Sequence, residues 1–351
     1  MYTPKFIINQ QVLKNIGVIE ACKEVITTAP LIPAWEKQFQ SEAETRTIHY
    51  ATHLEGNDLS FSQAREVIEG KKIVARGRDI QEVINYRNVL KYLERLDKQR
   101  KKGFGYTQQI LKKIHKLVVA RILEEYRIGK YRRTQVVVKE GKTGKVIFNP
   151  PKAIEVPFQL DDFFSWLNSN IGKQIHPVLR AGISHFELVR IHPFIDGNGR
   201  VARAFATLVL FIEGYDIKRL FSLEEHFDKD ALAYYQALQS VENEKGELTF
   251  WLAYFTSCLA IELTQIKEKI KRLSLDDKLK DKLGRQIALS ERQIKLMEYL
   301  KKNEMMKMVE AKKLIPKVSE DTILRDLRDL MKKGIVKKKG TTKAASYMLA
   351  S

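Results

Sequence analysis

Cysteine is almost missing from this chain: 351 residues hold only Cys22 and Cys258. Two thiols so far apart build no disulfide framework and match no zinc-ligand spacing, so both are read as reduced core residues, which fits a cytoplasmic protein. Long apolar runs are missing as well. The longest, Ala204 to Ile212, falls well short of the roughly 20 residues that span a bilayer, and Met1 to Asn15 lacks the charged-then-apolar order of a secretory signal. Neither a membrane segment nor a leader is expected. Acidic side chains are in deficit: 43 Asp and Glu face 62 Lys and Arg, a net charge of +19. Such a balance favours anionic partners, whether nucleotides, nucleic acid or acidic proteins, without choosing among them.

What is present is helix, punctuated by one extended stretch. Apolar spacing predicts helices over Gln11–Thr28 and Ala34–Leu54, the second stopped by Gly56, then a basic turn region between Gly70 and Gly77. A helix capped by Asp79 runs through Leu96, and one capped by Thr107 turns Ile110, Leu111, Ile114, Leu117 and Val118 inward. His115 within it reads as packed or solvated rather than catalytic. Between Gly129 and Pro151 the pattern becomes extended. Gln135–Val138 and Val146–Phe148 are β-branched or aromatic runs around Glu140-Gly141-Lys142-Thr143-Gly144, the pattern of a hairpin. Lys130, Arg132 and Arg133 ahead of it are candidate phosphate contacts, with solvation the plainer reading. Helices then resume over Gln159–Asn168, His176–Ile191, Val201–Ile212, Ser222–Asp230 and Leu248–Ile270.

The chemistry is concentrated in residues 192 to 203, His-Pro-Phe-Ile-Asp-Gly-Asn-Gly-Arg-Val-Ala-Arg. Gly197, Asn198 and Gly199 stand where an apolar helix begins. Unpaired N–H groups and the positive end of the helix dipole make that place an anion cradle, and glycine lets the anion come close. Arg200 and Arg203, three apart, share a helix face and can grip successive phosphates. Asp196 at the rim is a hard oxygen ligand of the kind that holds Mg2+ on a nucleotide. His192 can take a proton near neutral pH. Together these residues imply phosphoryl or nucleotidyl transfer to a hydroxyl.

The stretch resembles the signature of the Fic family (filamentation induced by cAMP), His-x-Phe-x-Asp/Glu-Gly-Asn-Gly-Arg-x-x-Arg. His192, Phe194, Asp196, Gly197, Asn198, Gly199, Arg200 and Arg203 meet every specified position. The resemblance implies a mainly α fold, a helical bundle carrying one β-hairpin flap. It also implies a protein adenylyltransferase that moves AMP from ATP, with Mg2+, onto a Ser, Thr or Tyr hydroxyl of a target protein docked at the 135–148 hairpin. His192 would be the base and Asp196 the metal ligand. Gly197, Asn198 and Gly199 would cradle phosphate, Arg200 the leaving pyrophosphate and Arg203 the γ-phosphate. In many relatives an inhibitory helix ends in Ser/Thr-x-x-x-Glu-Gly/Asn and its glutamate takes that last arginine. Glu55-Gly56 match, but Ala51 stands where the hydroxyl belongs and Thr52 follows one residue late. Relatives also move phosphate, UMP or phosphocholine, and removal of AMP by the same site is a further activity such a glutamate allows.

Four regions are expected: an N-terminal helical region over 1–100, the Fic core over 101–265, a helical linker over 266–288 and a small domain over 289–351. The last has three helices, from Ser290, Met305–Leu314 and Ser319, and strands at Ile335–Lys339 and Ser346–Leu349. That order resembles a winged helix. Residues 285–351 hold 17 Lys or Arg against 8 Asp or Glu, favouring DNA, although Asp321, Asp326 and Asp329 lie on the candidate recognition helix. A nucleotide-sensing DNA-binding regulator is therefore the rival to the transferase, and a protein-docking module the third reading. A homodimer is also compatible with the family.

Overall fold

A computed structural model describes residues 2–29, 33–100, 104–139, 146–215, 217–274, 289–303, 305–316, 318–340 and 345–350. The chain divides into two compact units, Met1–Ile270 and Lys271–Ser351. Among the described residues no helix is long and apolar enough to cross a membrane.

The first unit is helical. Helices α1 (Gln10–Thr28), α2 (Pro33–His53), α3 (Phe61–Ile68), α4 (Gly77–Gln99) and α5 (Gln108–Val118) precede a hairpin, β1 (Val138–Lys139) with β2 (Val146–Phe148). Helices α6 (Val156–Asn168), α7 (Asn170–Gln174), α8 (Pro177–Ile191), α9 (Asn198–Ile212), α10 (Leu223–Lys229), α11 (Ala231–Asn243) and α12 (Thr249–Ser274) complete it. The hairpin is antiparallel, with Val138 opposite Phe148, and is shorter than the sequence pattern suggests. Its expected turn at 140–144 lies outside the described residues, as does most of the expected 266–288 linker.

Helices α8 and α9 form the centre. Along α9 every residue from Val201 to Phe211 is buried, and Ala202, Ala204 and Ala206 let neighbours approach closely. Gly182 does the same on α8: a Cβ there would lie 2.9 Å from Leu252 and 3.1 Å from Phe255, so α12 packs directly on its backbone. Trp251 of α12 donates its indole N–H to the Gly182 carbonyl at 2.8 Å, satisfying the one polar atom that burial would strand. Helices α4 and α5 pack on α9, and α2 lies across α4 and α10. Both cysteines are buried and unpaired, Cys22 beside Thr264.

Three local expectations change. Arg76, not Asp79, is the N-cap of α4; buried Asp79 sits in the first turn and accepts from the Arg76 guanidinium at 2.7 and 2.9 Å. Helix α3 was not anticipated, although Ser60 and Gln63 form a capping box ahead of it. In the second unit Met305–Lys307 is a strand and not the start of a helix, because it pairs with the last strand.

That unit comprises α13 (Glu291–Asn303), β3 (Met305–Lys307), α14 (Met308–Leu314), α15 (Glu320–Lys332), β4 (Val336–Lys339) and β5 (Ser346–Leu349), with sheet order β3-β5-β4. Its own core joins Leu296, Leu300, Met306, Ile323, Leu327 and Tyr347.

Candidate active site

The site is built on the turn between α8 and α9. After Ile191 the chain leaves the helix at His192, which adopts the left-handed conformation (φ 50°, ψ 59°), unusual for a residue with a Cβ. Phe194 is fully buried and anchors the turn. Asn198 closes it from the other side: its Oδ1 accepts the Phe194 N–H and its Nδ2 donates to the Phe194 carbonyl, both at 2.9 Å. The Asn198 side chain is thus spent on the loop, and only its backbone N–H remains for an anion. Gly197, the N-cap of α9, sits at φ 78°, and its N–H donates to Asp196 Oδ1 at 2.6 Å. The first-turn N–H groups of 198 to 200 have no carbonyl of their own helix to reach.

His192 lies 3.2 Å from the Val189 carbonyl through Nδ1. With Nδ1–H donating there, Nε2 is the basic nitrogen. Burial lowers the His192 pKa, opposed by the Val189 contact and by the charges of Glu55 and Asp196. The imidazole is therefore neutral at physiological pH, the form a general base requires.

Both arginines are buried, Arg200 3% and Arg203 2% exposed. Arg200 Nη1 lies 3.0 Å from Glu82 Oε1, and its Nη2 3.7 Å from Asp196. Arg203 Nη2 donates to Glu55 Oε1 at 2.7 Å and to the Ala51 carbonyl at 3.0 Å. Nε of each arginine is buried without a hydrogen-bond partner. Burial would raise the Glu55 pKa, but the charges of Arg203 and Arg200 overcome it and hold the carboxyl below its usual range. Glu55 also presses against Gly199: a Cβ at 199 would stand 2.2 Å from Oε1. Only glycine admits the carboxylate there. Thr52 does not reach this contact, since its hydroxyl returns to the Ile48 and His49 carbonyls of its own helix at 3.1 and 2.9 Å.

His192, Gly199, Arg203 and Glu55 open onto one cavity of about 780 Å³, which Val138 and Phe148 of the hairpin also line. The structure thus brings a histidine, the start of a helix and a carboxylate-bound guanidinium to one opening beside a sheet edge. The sequence model of the Fic/DOC family matches residues 105–210.

Residues 105–210 form a Fic/DOC domain.

Curated relatives cover more of the chain. The protein adenylyltransferase Fic of Culex quinquefasciatus is 30% identical over 248 residues, which is 70% of this chain and 46% of that protein. Its counterpart in Nematostella vectensis is 32% identical over 182 residues, 51% and 40% of the two. The chain thus spans less than half the length of these relatives. A Fic family protein from Desulfovibrio desulfuricans G20 superposes with a TM-score of 0.65 at 20% identity, over 99% of this chain and 98% of that one. Fic-1 from C. elegans gives 0.58 at 22% identity, over 74% and 71%. At these identities the structures establish the fold.

The structure places three further parts around the site. His115 of α5 stacks on Phe194, ring centroids 3.8 Å apart, accepts the Gly129 N–H at 2.9 Å and reaches the Asp196 carbonyl at 3.2 Å. These contacts tie it to the loop that carries the motif. Arg132, a candidate phosphate contact by sequence, is buried among backbone carbonyls. Tyr2 to Lys5 line the cavity, held by the Leu248 N–H donating to the Lys5 carbonyl at 2.8 Å.

For Mg2+ the donor set is sparse: among the described residues no cluster of three His, Cys, Asp or Glu could hold an ion. A nucleotide-bound Mg2+ needs only one or two protein carboxylates. Asp196 fits that demand, 35% exposed and with Oδ1 fixed by Gly197.

His115 makes the loop acid-sensitive. Burial pushes its pKa down from 6.5 to about 4, outweighing its contact with Asp196. An imidazole held neutral by the fold contributes stability that is complete above its unfolded value near 6.5 and is lost as pH falls through about 4. The melting temperature should fall across that window, His185 contributing in the same direction. In His115→Gln the fall should be shallower, with a lower starting value at pH 7.5. Scanning calorimetry between pH 7.5 and 4 checks both; equal slopes in parent and variant would remove His115 as the cause.

Proposed function

We propose that this protein is a protein adenylyltransferase, transferring AMP from ATP to a hydroxyl of a target protein, with Glu55 as its restraint. The observation that carries the reading is the shared cavity, where neutral His192 stands beside Gly199 and Arg203. The names of the relatives support AMP as the group moved. His192 Nε2 takes the proton of the incoming hydroxyl, whose oxygen bonds to the α-phosphorus as the bond to the β-bridging oxygen breaks and pyrophosphate leaves. The first turn of α9 binds phosphate oxygens through backbone N–H groups, and Arg200 steadies the leaving pyrophosphate. Arg203 binds the γ-phosphate when Glu55 withdraws. Asp196 would hold Mg2+, which would supply neutralising charge at the phosphates. The hairpin presents the target strand by edge pairing.

Intact-mass spectrometry after incubation with ATP and Mg2+ tests this. The parent should acquire little AMP and Glu55→Gly an AMP-sized addition at least about ten-fold faster. His192→Ala in the Glu55→Gly background should lose about 10²-fold or more of that rate. A phosphate-sized addition would make the protein a kinase, and no addition in any variant would contradict the transferase reading.

For the second unit we infer a winged helix that binds duplex DNA, with α15 as the recognition helix. Two of the three acids that argued against this are paired, while Asp321 stays exposed. Asp326 is buried against Arg292 at 2.6 Å, and Asp329 is held by Lys333 and Gln293 at 2.5 and 2.7 Å. Arg325 and Arg328 are exposed on the same helix, and Lys338 and Lys339 on β4. Binding of the full chain to duplex DNA should weaken steeply between about 50 and 200 mM salt. Arg325→Ala with Arg328→Ala should weaken it at least about ten-fold. Absence of binding at the low-salt end would discard DNA and leave an acidic protein as the partner.

A further inference from the structure

Arg132 is 4% exposed and burial lowers its pKa; among the described residues no carboxylate pairs with it. Its donors all go to main-chain carbonyls. The backbone N–H bonds Pro193 O at 2.9 Å, and Nε bonds His192 O at 2.8 Å. Nη2 reaches Ile191 O at 3.4 Å and also Pro151 O, and Nη1 reaches Thr134 O at 3.4 Å. The side chain therefore grips the two successive carbonyls of Ile191 and His192 at the end of α8 and the segments flanking both sides of the hairpin, while the backbone N–H holds the next carbonyl, of Pro193.

Two physical consequences follow. The last carbonyls of a helix lack intrahelical donors and form the negative end of its dipole, so a cation there satisfies both needs at once. A planar fork can hold several carbonyls in fixed directions where an ammonium cannot. The peptide planes on either side of His192 set the direction of its Cα–Cβ bond. Its left-handed backbone is a conformation that surrounding contacts must maintain.

Building on the transferase reading, we propose that Arg132 is a positioning residue: its guanidinium fixes the carbonyls of Ile191 and His192, aims His192 into the cavity, and locks that loop to the base of the hairpin that presents the target. Arg132 touches neither nucleotide nor target. Its effect should appear in turnover and not in nucleotide affinity, since a misplacement of about 1 Å can cost on the order of 10²-fold in rate. A second effect is electrostatic. His192 is faced by Glu55 from the end of α2, by Asp196 from its own loop and by Arg132, while burial and Arg132 act together to keep it neutral.

The test uses Arg132→Gln and Arg132→Lys in the full-length Glu55→Gly protein. Three quantities are read: the single-turnover rate of AMP incorporation, the Kd for ATP by calorimetry, and the His192 titration by NMR of the imidazole Cε1–H. Arg132→Gln should lose about 10²-fold in rate, hold the ATP Kd within about three-fold, and titrate at higher pH as the repelling charge is removed. Arg132→Lys should keep the low titration and recover only part of the rate. Rate and titration both unchanged in Arg132→Gln would overturn the proposal. So would parallel loss of rate, ATP binding and melting transition in both variants, which would make Arg132 scaffold only. If the Glu55→Gly protein itself adds no AMP, the transferase reading fails. The titration shift then still decides whether Arg132 governs His192.

Discussion

A guanidinium that is 2% exposed cannot stand without an anion, and everything at the centre of this protein is arranged around which anion Arg203 receives. Here it is Glu55, at 2.7 Å. The carboxylate comes from outside the 105–210 domain, carried by the end of α2. It lies against Gly199, in the first turn of the helix that bears the arginine. A nucleotide phosphate in the cradle would need the same donors and the same space. Removing one partner of such a pair costs about 3–5 kcal/mol when nothing replaces it, so an incoming phosphate must displace the carboxylate and take its place.

The fold holds α2 in position by polar contacts to neighbouring helices. Arg46 pairs with Glu225 at 2.6 Å and Glu262 at 2.9 Å, and His53 with Asp228 at 2.8 Å, joining α2 to α10 and α12. Around these, Ala43, Ile48 and Ala51 are buried in the face of α2. The helix that carries Glu55 is therefore part of the first unit's core and no loose appendage. Glu55 follows the last turn of α2, where Gly56 at φ 89° breaks the helix.

Local features were legible in the sequence because local physics writes them there. Thr107 caps α5, Ser319 caps α15, and the alternation from helical to extended spacing at Gly129 marks the hairpin. The 192–203 motif could be read because its groups are neighbours on one turn and one helix face. The partnership of Glu55 with Arg203 spans 148 residues, and only the family resemblance pointed to it. His115 and Arg132 stayed hidden for another reason. Their partners are backbone carbonyls and a ring face, which carry no residue signature. At Met305–Lys307 the helix-compatible composition yielded to pairing with β5, a tertiary contact that no local propensity encodes.

The central claim, that Glu55 occupies the γ-phosphate position at Arg203, is tested most directly by the ratio of ATP to ADP affinity, measured by titration calorimetry with Mg2+ in the parent and in Glu55→Gly. If the carboxylate blocks that position, the γ-phosphate adds little in the parent, and the two nucleotides bind within about three-fold of each other. Glu55→Gly should then favour ATP by about ten-fold or more, as a charge-assisted pair to a buried arginine would give. An ATP to ADP ratio that is the same in both proteins would contradict the account.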